Sequence, residues 1–323
     1  MRSWQRCLDA AGVPGGSDRA AYLKAKQFML SREPAGHAAV RLLTPAPLQP
    51  HILAGYAFAS FTDDLCDRGT VAERTRRYAG WAEQVRTALD TGTARHPLLR
   101  AFLRTAETRE LPRSWVDSYL TGAEIDLDFD GFTTEDDYQT YIDRLTWPFL
   151  MITSGLSMTG GGSRAYADSC RLLADACQRT DFLTDLAEDL RDGRLYLPTD
   201  DLERHGVVRS DLERGRDLPG VRSLLAETAV TAHATLREST RIVAELPPEQ
   251  RMLTRFVILL HDQRLRRAVA MGAALTRRPV RDNPAVCVGL LARANRPDLH
   301  LPALPAPRTG ARPPAVARPR AGA

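Results

Sequence analysis

Gln178-Arg-Thr-Asp-Phe-Leu-Thr-Asp-Leu-Ala-Glu-Asp-Leu-Arg-Asp-Gly-Arg-Leu-Tyr-Leu-Pro198 is the stretch on which the fold turns. Asp181, Asp185 and Asp189 recur every fourth residue, a spacing that stacks them on one face of a helix. Like charges so placed cost roughly 0.2–0.5 kcal/mol per pair on an isolated helix. The pattern therefore asks for a compensating cation, the alternative being a solvated acidic face. A second acidic group favours the cation. Tyr56-Ala-Phe-Ala-Ser-Phe-Thr-Asp-Asp-Leu-Cys-Asp67 ends an apolar, aromatic segment with Asp63 and Asp67 one helical turn apart. Two Asp-x-x-x-Asp pairs on mostly apolar helices are suited to face each other across a bundle. Mg2+ takes a few carboxylates together with water and phosphate oxygens, so facing acid pairs suit a metal-bound diphosphate better than a closed protein cage.

Asp63 to Asp67, then Gly122-Ala-Glu-Ile-Asp-Leu-Asp128, then Asp185-Leu-Ala-Glu-Asp189 with Gly193-Arg-Leu-Tyr-Leu-Pro198 resemble the squalene/phytoene synthase family in order and spacing. The likeness covers about Tyr22 to Met271. It implies an isoprenoid-synthase fold and head-to-head coupling of two prenyl diphosphates, farnesyl or geranylgeranyl, through a cyclopropylcarbinyl diphosphate to a squalene- or phytoene-type product. A one-substrate terpene cyclase and a non-catalytic assembly factor of the same fold are the rival expectations. Retention of both acid pairs speaks against the second, since a scaffold has no use for metal-binding carboxylates.

Composition is compatible with this. The 323 residues are 43% apolar and 26% charged, ordinary values for a globular protein with a sizeable core. A net charge of +4 does not indicate nucleic acid. The five cysteines, Cys7, Cys66, Cys170, Cys177 and Cys287, are scattered without a C-x-x-C pair, which fits a reducing compartment and argues against a zinc site. With no membrane-length apolar run and no signal-peptide core in the sequence, a cytoplasmic protein is expected.

Helical periodicity dominates and no alternating strand pattern stands out, so the expected fold is an all-α, single-domain bundle with a central cavity. Residues 1–16 read as a flexible N-terminus, 17–276 as the synthase domain, and 277–323 as a Pro/Arg-rich, largely disordered tail. The tail's Arg308, Arg312, Arg318 and Arg320 suggest peripheral contact with an anionic membrane. One unbroken helix is expected from Ser163 to Asp192, another from Ser114 towards Asp128. A proline kink is expected at Pro148, with Gly160-Gly-Gly162 as the stop.

Allylic diphosphate chemistry needs an acidic mouth to hold metal and an apolar wall that keeps water from a carbocation. Asp63, Asp67, Asp181, Asp185 and Asp189 are the expected metal ligands, for Mg2+ or alternatively Mn2+. Tyr56, Phe58, Phe61, Leu145, Trp147 and Phe149 are the expected cavity wall. From the resemblance, Gln178, Arg191 and Arg194 are expected on the diphosphate, and Tyr141, with Asp63 and Asp185, at the reacting centre. Nicotinamide use is left open: no G-x-G-x-x-G follows a strand, and reductive members of the family do not depend on one.

The chain also departs from the family. Asp181 stands where Asn is common, and Ser60 stands where an arginine usually precedes the first acid pair by three residues. The family's small-residue helix appears as Tyr141-Ile-Asp-Arg-Leu-Thr-Trp-Pro-Phe-Leu150, bulkier at Trp147 and Phe149. Lys24 and Lys26, in the segment Lys24-Ala-Lys-Gln-Phe28 that stands for the family's Ser-x-Ser-Phe, are candidates to replace the missing cation.

Overall fold

The computed structural model describes residues 3–296 and 298–305. Its regular elements are helices throughout. A first layer contains α1 (Trp4–Ala10), α2 (Ser17–Arg32), α3 (Pro34–Leu43), α4 (Gln49–Asp67), α5 (Val71–Thr91), α6 (Pro97–Thr108) and α7 (Arg113–Ala123). After a 3₁₀ turn at Glu124–Asp128 come α8 (Glu135–Tyr141) and α9 (Trp147–Ile152), joined by a π-helical segment, Ile142–Thr146. Then follow α10 (Arg164–Thr184), α11 (Leu186–Arg191), α12 (Thr199–Arg204), α13 (Arg209–Glu213), α14 (Pro219–Ser239), α15 (Ile242–Glu245), α16 (Arg251–Met271) and α17 (Pro284–Ala294).

Local chemistry sets many of the boundaries. Thr70 and Glu73 form a reciprocal capping box at the start of α5, as Thr134 and Asp137 do for α8, and the Ser163 hydroxyl accepts from the Tyr166 amide to open α10. Prolines sit in the first turns of α3, α4, α6, α9, α14 and α17, where a missing N–H costs nothing. Gly92, at φ 69°, ends α5 in the left-handed region.

Two close approaches bring the site helices together. A Cβ on Gly55 would lie 2.6 Å from the Ile152 carbonyl oxygen, and one on Gly122 would lie 1.9 Å from that of Arg144. Glycine there lets α4 pack on α9, and α7 on the π segment, backbone to backbone. Around α4 an aromatic core forms: Phe58 stacks on Phe102 with centroids 3.9 Å apart, and Trp81 Nε1 donates to Thr62 Oγ1 at 2.8 Å. A second, aliphatic core lies between α10, α14 and α16, and α10 packs most extensively on α14.

Several expectations are corrected. The N-terminal segment is helical at α1 and buries Cys7 and Leu8. Beyond residue 276 the chain still packs, since α17 buries Leu290 and Ala294, and Leu301 is buried next to the aliphatic core. Apolar residues spaced among prolines and arginines were enough to dock this segment. The tail arginines lie outside the described residues. The expected continuous helix to Asp192 breaks at Asp185 (φ −101°, ψ 2°), and the helix expected to run to Asp128 tightens into 3₁₀ after Ala123. Pro148 does not kink a continuing helix. The π segment interrupts the chain first, and Pro148 falls in the first turn of α9, which ends at Ile152, before the glycine run. Among the described residues no helix is long and apolar enough to cross a membrane.

Candidate active site

The last turn of α4 carries Asp63, Asp64 and Asp67, and the 3₁₀ turn after α7 brings Asp126 beside them. Solvent reaches Asp63, yet the protein packed around its carboxyl, followed by the charges of Asp67 and Asp126, raises its pKa to about 7. Asp126 is 8% exposed. Burial lifts it to about 6 against the opposing pull of Arg194, with Asp67 adding to the rise. Its carboxylate accepts a hydrogen bond from Tyr141 Oη at 3.3 Å.

The second acid group lies where α10 breaks into α11. Burial and then Asp181 raise Asp185 to about 6; burial and then Asp185 raise Asp189 to about 7. Asp181 behaves differently. Burial pushes its pKa up, but His261 and Arg264 together hold it below the usual carboxylate value. Arg264 Nη1 lies 3.0 Å from Asp181 Oδ1, and His261 Nε2 lies 3.6 Å from the same atom. His261 Nδ1 lies 2.8 Å from the Val257 carbonyl oxygen.

One contact joins the two groups. Arg194, just past α11, donates from Nη1 to Asp67 Oδ1 on α4 at 2.9 Å, across 127 positions of sequence, and lies 3.4 Å from Tyr196 Oη. Tyr196 stacks on Phe182 of α10 at 3.9 Å, and both rings border Tyr141 or its neighbour Phe132. The Gly193-Arg-Leu-Tyr-Leu-Pro198 run thus closes the gap between the acid-bearing helices.

Gln178 Oε1 accepts from Thr146 Oγ1 at 3.1 Å, fastening the π segment to α10. Arg191 is exposed, with its Nε on the Ala187 carbonyl and its Nη2 3.8 Å from Glu188 Oε1, both on its own helix. Tyr56 and Phe149 meet edge to face at 6.1 Å, and Tyr56 Oη lies 3.1 Å from Ser154 Oγ. Leu145 is buried beside Tyr141 in the aromatic core. Phe61 packs among Phe28, Trp81 and His96.

Two expected wall residues are elsewhere. Phe58 is fully buried in its stack on Phe102, because its face of α4 meets α6. Trp147 turns towards Trp115 at 5.0 Å, and its Nε1 donates to the Ala167 carbonyl at 3.1 Å. Trp147 and Phe149 are two positions apart on α9, about 200° around the helix, which puts them on opposite faces. Lys26 lies over the Trp4 ring at 5.5 Å.

A cavity of about 490 Å³ lies between α2–α3 and α16–α17, and Tyr56 reaches into its wall from α4. Its lining is mostly aliphatic, with Met29, Val40, Phe256 and Leu260 among it, and Glu33, Arg264 and Asp282 supply its charges. Asp126, His261, Arg264 and Arg32, which pairs with Asp64 at 2.8 Å, are the site residues that sequence reading missed. Asp126 had a signal, since it sits in one of the segments that carried the resemblance. The other three had none beyond charge, because the acids they pair with, Asp64 and Asp181, are 32 to 83 positions away.

Residues 34–284 match the family model described as squalene/phytoene synthase. The chain belongs to the squalene/phytoene synthase family. It is similar to the bifunctional protein CrtB/UppS of Streptomyces coelicolor, 30% identical over 214 residues, which is 64% of this chain but 37% of that one. It is also similar to the presqualene diphosphate synthase of Rhodopseudomonas palustris, 28% identical over 267 residues, covering 79% of this chain and 90% of the relative. In fold it resembles the crystal structure of the squalene synthase HpnC from Alicyclobacillus acidocaldarius, with a TM-score of 0.73 at 24% identity over 84% of this chain and 100% of that one.

Proposed function

We propose that this family member couples two prenyl diphosphates, farnesyl or geranylgeranyl, head-to-head in a Mg2+-dependent reaction. The observation that carries the proposal is the Arg194–Asp67 contact, which draws the acids of α4 and those of α10–α11 to one rim. Asp63, Asp67, Asp185 and Asp189 are the residues that would hold metal. Their donor set fits Mg2+: all are carboxylates, and burial, then neighbouring acids, raises Asp63, Asp185 and Asp189, so a bound cation would favour their ionised form. Among the described residues no three His, Cys, Asp or Glu stand together as a metal-holding group, so water and phosphate oxygens would have to complete the shell of an ion held by these acids.

Bound Mg2+ would neutralise the diphosphate and the charge that develops as it leaves. The chain's own contribution is orientation and exclusion of water. Arg194 presents a guanidinium at the rim, able to grip phosphate oxygens by parallel N–H groups. Tyr56 and Phe149 offer ring edges and faces to an allylic cation, and the aliphatic lining keeps water from it. Tyr141, whose hydroxyl donates to Asp126, holds its proton at the same rim. Trp147's turn away from Phe149 removes the main structural reason to favour a one-substrate cyclase.

The test is incubation of the purified protein with Mg2+ and ten-, fifteen- or twenty-carbon prenyl diphosphates, with and without NADPH, followed by pyrophosphate assay and hydrocarbon analysis. A coupled product of doubled chain length is expected, NADPH being needed only for a squalene-type ending. Asp63→Ala and Asp185→Ala are each expected to abolish turnover while keeping the helical circular-dichroism spectrum. Full activity of either variant, or of the wild type in excess chelator, would reject the site.

A further inference from the structure

Ser60 leaves the first acid pair without the arginine that the resemblance leads one to expect, and Asp181 adds a carboxylate where an amide is common. Both changes make the rim more negative, which opposes binding of an anionic diphosphate. We infer that Arg264, on α16, supplies the missing diphosphate-binding cation, and that Asp181 serves to position it. This rests on the prenyl diphosphate reading above.

Three observations place Arg264 for that task. Its guanidinium is held between two elements, by Asp181 of α10 at 3.0 Å and by Asp282, before α17, at 3.1 and 2.7 Å. A planar fork held by Asp181 is oriented in advance, so little side-chain freedom remains to be lost when phosphate oxygens take the place of Asp282. Among the described residues it is also the only cation lining the 490 Å³ cavity, so an anionic head on Arg264 leaves an apolar tail facing aliphatic side chains. Tyr56 lines the same cavity from α4, and Ser60 lies one helical turn beyond Tyr56, towards Asp63 and Asp64. The cation has moved from α4 to α16 while serving one rim. Arg32, bound to Asp64, is exposed and lies outside that lining.

The experiment measures Kd for inorganic pyrophosphate with Mg2+, and KM and kcat with farnesyl and geranylgeranyl diphosphates, for four proteins. Arg264→Gln is expected to weaken pyrophosphate binding and raise KM by roughly 10- to 100-fold, the loss of one or two charge-assisted hydrogen bonds. Adding Ser60→Arg to Arg264→Gln is expected to restore most of that loss. Asp282→Asn cuts the same tie to α17 but keeps the cation; a lower melting temperature with pyrophosphate Kd within about threefold of wild type is expected. If Arg264→Gln leaves Kd and KM unchanged while the wild type turns over, the inference falls and the coupling function stands. If Asp282→Asn loses affinity as Arg264→Gln does and Ser60→Arg does not restore the loss in Arg264→Gln, Arg264 is only a structural tie. A wild type that neither binds pyrophosphate nor releases it from any prenyl diphosphate overturns both readings.

Discussion

Replacing Trp147 by alanine separates a packing role from a place in the reaction cavity. The indole meets Trp115 edge-on at 5.0 Å and donates to the Ala167 carbonyl at 3.1 Å, so truncation removes an aromatic pair worth about 0.5–1.5 kcal/mol and a hydrogen bond of similar size. Full truncation of a buried aromatic costs roughly 3–5 kcal/mol. Trp147 is only partly buried, which puts the expected loss nearer about 2–4 kcal/mol. At about 2–4 °C per kcal/mol for domains of 150–250 residues, the melting temperature is expected to fall by the order of 10 °C. Products analysed by gas chromatography below that temperature are expected to keep their identity. Phe149→Val, on the Tyr56 side, is expected to do the reverse, slowing turnover or shifting products with a smaller thermal effect. A Trp147→Ala protein with an unchanged melting temperature and altered products would refute the geometry and return a cyclase to favour.

Asp126→Asn tests the carboxylate that the structure added to the site. Asp126 is buried and its folded pKa is raised to about 6, so its ionisation opposes folding: the stability is intact below the unfolded pKa near 4 and is lost as pH rises through about 6. Asparagine is expected to stabilise the protein by up to roughly 3 kcal/mol at pH 8 and by little at pH 4, while lowering prenyl diphosphate turnover at least about tenfold; denaturant melts at the two pH values and a rate assay check it. His51, 3% exposed and within hydrogen-bonding distance of Tyr22 and Thr105, has the opposite sign. Burial lowers its pKa to about 4, so its contribution of about 3 kcal/mol is complete above pH 6.5 and is lost as pH falls towards 4. His51→Gln is expected to flatten that acid limb in a pH series of urea melts; an unchanged acid limb would show that His51 is not the group responsible.

Helical class, the two acid pairs and the family were legible in the chain because each is local: four-residue recurrence, capping residues and short contiguous motifs act within one or two turns. Asp63 and Asp67, and Asp181, Asp185 and Asp189, could be picked out as candidates from their spacing. Which side of a helix a residue presents at a break could not. Packing of α7 on α9 set Trp147 against Trp115, and the break at Asp185 gave Asp181 different neighbours from Asp189. Partners distant in sequence were hidden for the same reason. Arg194 finds Asp67 across 127 positions and Arg264 finds Asp181 across 83, contacts that exist only once Gly55, Gly122 and the apolar faces have packed the helices together. The sequence determined what charge and apolar surface each helix carries. Only tertiary packing decided which charges share a rim, because that depends on the rotation and close approach of helices, to which local pattern is blind.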